Sequence, residues 1–235
     1  TGIGSIDSAG SASDASGFSI VSYTGTESAG TIKHGLSSVP KMIIAKDRDS
    51  GSLSWFVGHA SLGFTKRLKL DGTNDAADNT VWNNTNPTSS VFSVGSSANA
   101  NTSGNAIIAY CFAEKQGYSK FGKFIGNGNV SGSYIHLGFK ARFIMTKRTD
   151  SSSGGAWVMY DTKRNPFNPT DVVMVADNDQ SENDWGTTFD LDILSNGVKL
   201  RSSTTYSNVS GATYIYMAFA ENPFVTSTGV PATAR

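Results

Sequence analysis

One ten-residue stretch of this chain is written twice. Asn105-Ala-Ile-Ile-Ala-Tyr-Cys-Phe-Ala-Glu114 returns as Ala212-Thr-Tyr-Ile-Tyr-Met-Ala-Phe-Ala-Glu221, closing on the same Phe-Ala-Glu 107 positions later. Read as strands, alternate residues point to opposite faces. Ile108, Tyr110 and Phe112, matched by Ile215, Met217 and Phe219, make a bulky face that is expected to fill a core. The other face shrinks to Ala109, Cys111 and Ala113, or Ala218 and Ala220, so its cover must approach closely. A strand apolar on both faces is covered on both. Each copy is therefore expected to be the central strand of its own sheet.

Other features recur at a similar spacing. Lys41–Lys46 is answered by Arg142–Lys147, Trp55 by Trp157, Trp82 by Trp185, the strand at Val91 by Asn196–Leu200, and Gly104 by Gly211. The offset grows from 101 to 107, as insertions in loops would produce. Short apolar runs alternate with turn residues, and no stretch keeps a helical period. With 38% hydrophobic and only 16% charged residues, the composition is that of a turn-rich all-β protein. The expectation is two tandem antiparallel β-sandwich units from an internal duplication, at residues 17–117 and 118–224. A Gly/Ser/Ala-rich arm or linker (1–16) precedes them and a tail (225–235) follows. The arm is too polar to fold alone and is expected to lie on something else.

Zero net charge argues against nucleic-acid binding, and no run is long enough for membrane insertion. The single Cys111 excludes an internal disulfide and reads as a small buried hydrophobe. Beginning at Thr1 without Met, the chain is expected to be the C-terminal part of a longer polypeptide.

Several of these segments are distinctive: Phe18-Ser-Ile-Val, His34-Gly-Leu, Met42-Ile-Ile-Ala-Lys-Asp-Arg-Asp, Ala109-Tyr-Cys-Phe-Ala-Glu-Lys-Gln-Gly-Tyr-Ser-Lys-Phe-Gly and Phe143-Ile-Met-Thr-Lys-Arg-Thr-Asp. They resemble the duplicated domain of unknown function found in virion-associated, tail-fibre-like proteins of marine tailed phages and prophages. The likeness covers residues 17 to 235. It implies a jelly-roll or concanavalin-like sandwich, a place on the virion surface, other virion subunits as partners and a homotrimer. It carries no catalytic residues with it.

Candidate binding residues come from two polar stretches. Trp82, Asn83 and Asn84 lie in one, and Asp184 and Trp185 in the other. An indole ringed by amides and carboxylates could stack on a sugar while its neighbours bind hydroxyls; it could equally plug the space under a long loop. Trp55 and Trp157 read as core residues. The acidic run Asp177–Asp184 invites calcium, but Glu182 stands where a calcium loop needs Gly, so a solvated loop is favoured. Asp47, Asp49 and Asp150 read as turn carboxylates. The three histidines, His34, His59 and His136, lack metal-ligand spacing. Glu114 and Glu221 fall in separate units, so they are expected to pair with a Lys, an Arg or a turn rather than to cut a glycosidic bond.

No catalytic residue, metal or cofactor is expected. The functional expectation is a non-enzymatic virion protein, the C-terminal region of a tail fibre or similar appendage, touching host surface glycans. The alternative is a purely structural virion module, for capsid decoration or fibre stacking. Free, outward Trp82 and Trp185 would favour the first, and loop tips buried against neighbouring subunits the second.

Overall fold

A computed structural model describes residues 2–184 and 186–223, with 42% of the chain in strands and 3% helical. It divides into two compact units. The first holds the residues up to Leu70 together with Ala76–Glu114; the second holds Asp71–Asp75 together with the residues from Lys115 on.

The first unit contains β1 (Ser8–Ser13), β2 (Phe18–Thr24), β3 (Gly30–Lys33), β4 (Pro40–Asp47), β5 (Phe56–His59), β6 (Lys66–Lys69), β7 (Ala77–Asp78), β8 (Val91–Val94) and β9 (Ala106–Ala113). Seven of these form one antiparallel sheet in the order β1-β2-β9-β4-β5-β6-β7, and β3 pairs with β8. The second unit contains β10 (Ser119–Ile125), β11 (Tyr134–His136), β12 (Ala141–Arg148), β13 (Trp157–Asp161), β14 (Val172–Val175), β15 (Asn183–Asp184), β16 (Leu191–Leu194), β17 (Gly197–Leu200) and β18 (Thr213–Ala220). Its main sheet runs β10-β18-β12-β13-β14-β15, beside a smaller sheet β11-β17-β16. The architecture is all-β and antiparallel, as the turn-rich sequence predicts.

Both Phe-Ala-Glu strands are central. In β9, Phe112 lies between Phe18 and Met42; in β18, Phe219 lies between Ser119 and Phe143. Each is flanked by a bulge at the start of its neighbour, at Pro40/Met42 and at Ala141/Phe143. A bulge adds one residue and turns the strand. Here it falls at corresponding positions of the two units.

The faces of β9 are the reverse of the expectation. Its small side carries the core: Ala109 and Cys111 are fully buried, and Ile107 and Ala113 join them. The bulky side, Ile108, Tyr110 and Phe112, is only half-buried. The reason is volume. Trp82, Phe92 and Tyr23 crowd the same core, Tyr23 meeting Phe92 edge-on at 6.2 Å, so the strand beneath them must be thin. On the other side Tyr110 stacks with Phe18 at 6.4 Å and with Trp55 at 6.3 Å. In β18 the core side carries Tyr214 and Tyr216 as well as Ala218 and Ala220, while Ile215 and Met217 on the opposite side are also buried.

Residues 8–13 of the arm are a strand, in six-residue register with β2 of the same chain. Its side chains are mostly exposed, so backbone hydrogen bonds rather than apolar burial order it. Composition alone misses that contribution. Gly10 is required where it stands, because a Cβ there would sit 2.3 Å from the carbonyl oxygen of Ile20. Ahead of β1, Ile6 bridges to Ile32 and joins the core. The 225–235 tail lies outside the described residues.

The reversed faces can be checked by truncation. Trp82→Ala should destabilise the protein by about 3–5 kcal/mol, as for a fully buried aromatic. Phe112→Ala should cost less than half as much, since its ring already meets water. Urea unfolding of both variants decides it; equal losses would restore the bulky face as the core.

Candidate functional site

Trp82 lies in the core with no exposed surface, beside buried Val81, although the rest of Asn79 to Asn86 is polar. Its ring meets Phe64 edge-on at 5.9 Å and lies over Gly58, where a Cβ would come within 2.9 Å of the indole. A tight turn puts it there, closed by the Asn83 N–H donating to the Thr80 carbonyl at 2.9 Å. Asn83 and Asn84 then continue with positive φ (50° and 49°), a conformation Asn tolerates, and stay exposed. The indole is therefore the plug of that loop, while the Asn83 and Asn84 side chains lie on its exposed side. Asp184 is placed in β15 opposite Val172, and Trp185 lies outside the described residues.

The recurring polar residues hold backbone in place. Asp47 accepts from the Asn105 amide at 2.9 Å and from the N–H groups of Asp49 and Ser50. Burial raises its pKa, but these bonds and one from Thr102 outweigh that and hold it below the usual carboxylate value. Asp49 and Asp150 each receive the first N–H of a central strand, from Ala106 at 2.7 Å and Thr213 at 3.1 Å. Lys46 and Lys147 donate to carbonyls of the turns that follow them: Lys46 to Ser50 and Leu53, Lys147 to Gly155. Lys147 also donates to Thr73 at 3.0 Å and sits 5.9 Å above the Trp157 ring. It is fully buried, and desolvation lowers its pKa to about 8 against the pull of Asp177 and Asp75.

Other titratable groups are committed in the same way. Glu221 pairs with Lys140 at 2.7 Å and Arg142 at 3.7 Å, which holds its carboxyl low. Asp177 accepts the Trp157 N–H at 2.6 Å, and Glu182 pairs with Arg164. His34 is buried, donates from Nε2 to the Thr88 carbonyl and accepts the Leu36 N–H at Nδ1; burial lowers its pKa. Burial pushes the Cys111 thiol up to about 12.

Two buried amides that sequence reasoning passed over shape the loops. Asn101 donates to Ser28 and Gly95 and accepts from Thr26; Asn208 donates to Asn127 and Asn129 and accepts from Asn127. Each ties the loop after β2 or β10 to the opposite end of its unit's chain. Their 107-residue spacing, the same as that of the two Phe-Ala-Glu strands, was the available signal.

The second of these tied loops forms one wall of a groove of about 470 Å³. Val130 and Ser131 line that wall, and Asn168 and Pro169 line another. Asp190, Asp192 and Arg201 complete it. Asp192 lies within β16 and Asp190 just ahead of it, alternating with buried Leu191 and Ile193. Asn168 fixes its loop against that strand by exchanging two bonds with Ile193, at 2.9 and 3.0 Å. Arg201 Nε stands 3.3 Å from Asp192 Oδ2. The motif Asp190-Leu-Asp192-Ile, polar and apolar in strict alternation, was legible but had no known partner in the sequence. Val130 is 64% exposed, and Phe167, next in sequence to Asn168, is 79% exposed, the two highest values among the large apolar side chains of the described residues.

Fold and groove define an antiparallel β-sandwich protein with a solvent-open, ion-paired cleft in its second unit. The chain belongs to the family described as a domain of unknown function, DUF7483, whose model matches residues 1–223. No curated protein and no solved structure matches it.

Lys147 supplies a pH test of the buried network. Unfolded, it keeps its proton to its ordinary value of 10.5; folded, it releases it near 8. Between those values the unfolded chain binds the extra proton, so this residue's contribution to stability rises with pH, by up to about 3 kcal/mol. Stability of the native protein relative to Lys147→Met should therefore climb from pH 8 to 10.5 in denaturant titrations. A constant difference would show that the amine is not desolvated.

Proposed function

We propose that this chain is the C-terminal β-sandwich region of a virion appendage, a tail fibre or similar, that touches host surface glycans without catalysis. The sequence resemblance supports the appendage. The groove of the second unit carries the glycan reading: rigidly tied walls, hydrogen-bonding groups of both kinds, and exposed apolar side chains close by. A binding role fits Asp190 and Asp192 better than hydrolysis does. They come from one short segment, Asp192 in β16 and Asp190 directly before it, whereas a glycosidase flanks the scissile bond with its two carboxyl groups. The homotrimer belongs to the same proposal, with other virion subunits as neighbours. Since β1 pairs with β2 in its own chain, the side it has left for another copy is the outer edge of that strand.

The alternative is a structural decoration or stacking module, whose loop tips would contact neighbouring subunits. Trp82 is a core plug, so it offers no stacking surface to a sugar. An array of bacterial surface polysaccharides separates the two readings. Retention of the purified protein on a subset of glycans is expected. Retention on none would leave the structural module. Light scattering at micromolar protein should give three times the chain mass, and a monomer would remove the trimer.

A further inference from the structure

We infer that the outer edge of β1 takes the acidic segment 178–182 of a second copy as an added strand, with Asp179 meeting Lys33. This rests on the homotrimer reading and adds to it the two surfaces that join.

Backbone pairing decides which groups of β1 are left over. The Ala113 N–H donates to the Gly17 carbonyl at one end of β2, and the Gly25 N–H to the Asn105 carbonyl at the other. The odd residues of β2 therefore face β9 and the even ones face β1. Through the six-residue register, Ala9, Ser11 and Ser13 turn their N–H and C=O groups to β2, while Ser8, Gly10 and Ala12 turn theirs away. β1 ends its sheet, and among the described residues no strand pairs with that outer side. Such a row of backbone groups is a template for an extended segment. Beside it lies a groove of about 430 Å³, between residues 8–12 and residues 33–35, with Val21 in its lining. The Ser8 hydroxyl donates to the Lys33 carbonyl at 3.2 Å and fastens the two walls together.

Charge selects the occupant. Among the described residues, Lys33 is the one cationic side chain lining this groove, and no carboxylate lines it. Both ring nitrogens of His34 are already bonded, to Thr88 and Leu36. Asp14 lies in an adjoining groove that Lys33 also lines, and accepts the Ser37 N–H there. The fitting partner is thus an exposed, extended segment with an acidic side chain. Residues 178–182 of this chain meet that description. All five are exposed and stand between β14 and β15. Among the described residues, no backbone–backbone bond engages Asp179, Ser181 or Glu182. Asp177 beside them holds the Trp157 N–H and Glu182 pairs with Arg164, so Asp179 is the carboxylate for Lys33. The two surfaces differ, so each copy gives one and takes one. A contact of that kind can close into a ring, as a trimer requires, whereas β1 against β1 would join copies in twos.

Light scattering over a range of concentrations tests this on the native chain, Ala12→Pro, Lys33→Glu, Asp179→Lys and the variant carrying both charge changes. Proline at position 12 removes an outward donor and leaves the bonds through Ala9, Ser11 and Ser13 in place. The native protein should be a trimer at micromolar concentration. Each single variant should need about tenfold more protein to assemble, because the loss recurs at every contact of the ring. Circular dichroism should stay unchanged, and the charge-swapped variant should recover most of the loss. Should Ala12→Pro fail to fold, the charge swap decides alone. A native trimer that Ala12→Pro keeps would overturn the β1 edge, and one that the charge variants keep would overturn the acidic segment; either leaves the trimer standing. Weakening by both charge variants without recovery in the swap would overturn the pairing of Lys33 with Asp179. A native monomer would overturn both the inference and the homotrimer beneath it.

Discussion

The thin inner face of β9 is the constraint on which the first unit depends. Ala109 sits between Val21 and Ala45 in the sheet, and Cys111 between Ser19 and Ile43. None of these six is larger than Ile, which leaves room for Trp82, Phe92 and Tyr23 to close over them. Dense packing needs large side chains opposite small ones. The Tyr23 hydroxyl then reaches the Ala100 carbonyl at 2.6 Å, so the bulk of the core is also tied to the loop above it. A larger residue at Ala109 would displace rings that hold several segments at once.

The second unit meets the same constraint with different side chains. Tyr214 and Tyr216 turn inward from β18, and Phe124 stacks on Tyr214 at 4.9 Å. Room is made by Gly122, where a Cβ would lie 2.5 Å from the Tyr216 hydroxyl. From this core the chain runs to the groove in few steps. Tyr214 accepts the Val209 N–H, Asn208 beside it holds Asn127 and Asn129, and that loop carries Val130 and Ser131. The position of a surface wall thus follows from packing beneath it.

Period-two alternation, turn residues and repeated phrases made the fold class and the two central strands legible in the sequence. Which face of β9 points inward was not, because a two-sided apolar strand satisfies either choice. The answer lay in what stands opposite, and Trp82 was hidden in a polar stretch. Polar neighbours describe the surface of a loop and say nothing about the residues beneath it, here Trp82 and Val81. The same limit applies to the groove. Asp190 and Asp192 announce a polar stretch, but Arg201, Asn168 and Val130 join them only through the loops that Asn208 and Asn168 fasten. The Gly/Ser/Ala arm was opaque for another reason: backbone pairing leaves little trace in side-chain composition.

The assignment of the β9 faces can be tested on the chain's own cysteine. Cys111 is fully buried on the small face, and its thiol is pushed up to about 12, so both access and thiolate formation are suppressed. A small thiol reagent added to the native protein at neutral pH should label it only as fast as the first unit opens, and completely in denaturant. Labelling within seconds in native buffer, with the fold intact by circular dichroism, would place Cys111 on the accessible side and contradict the account.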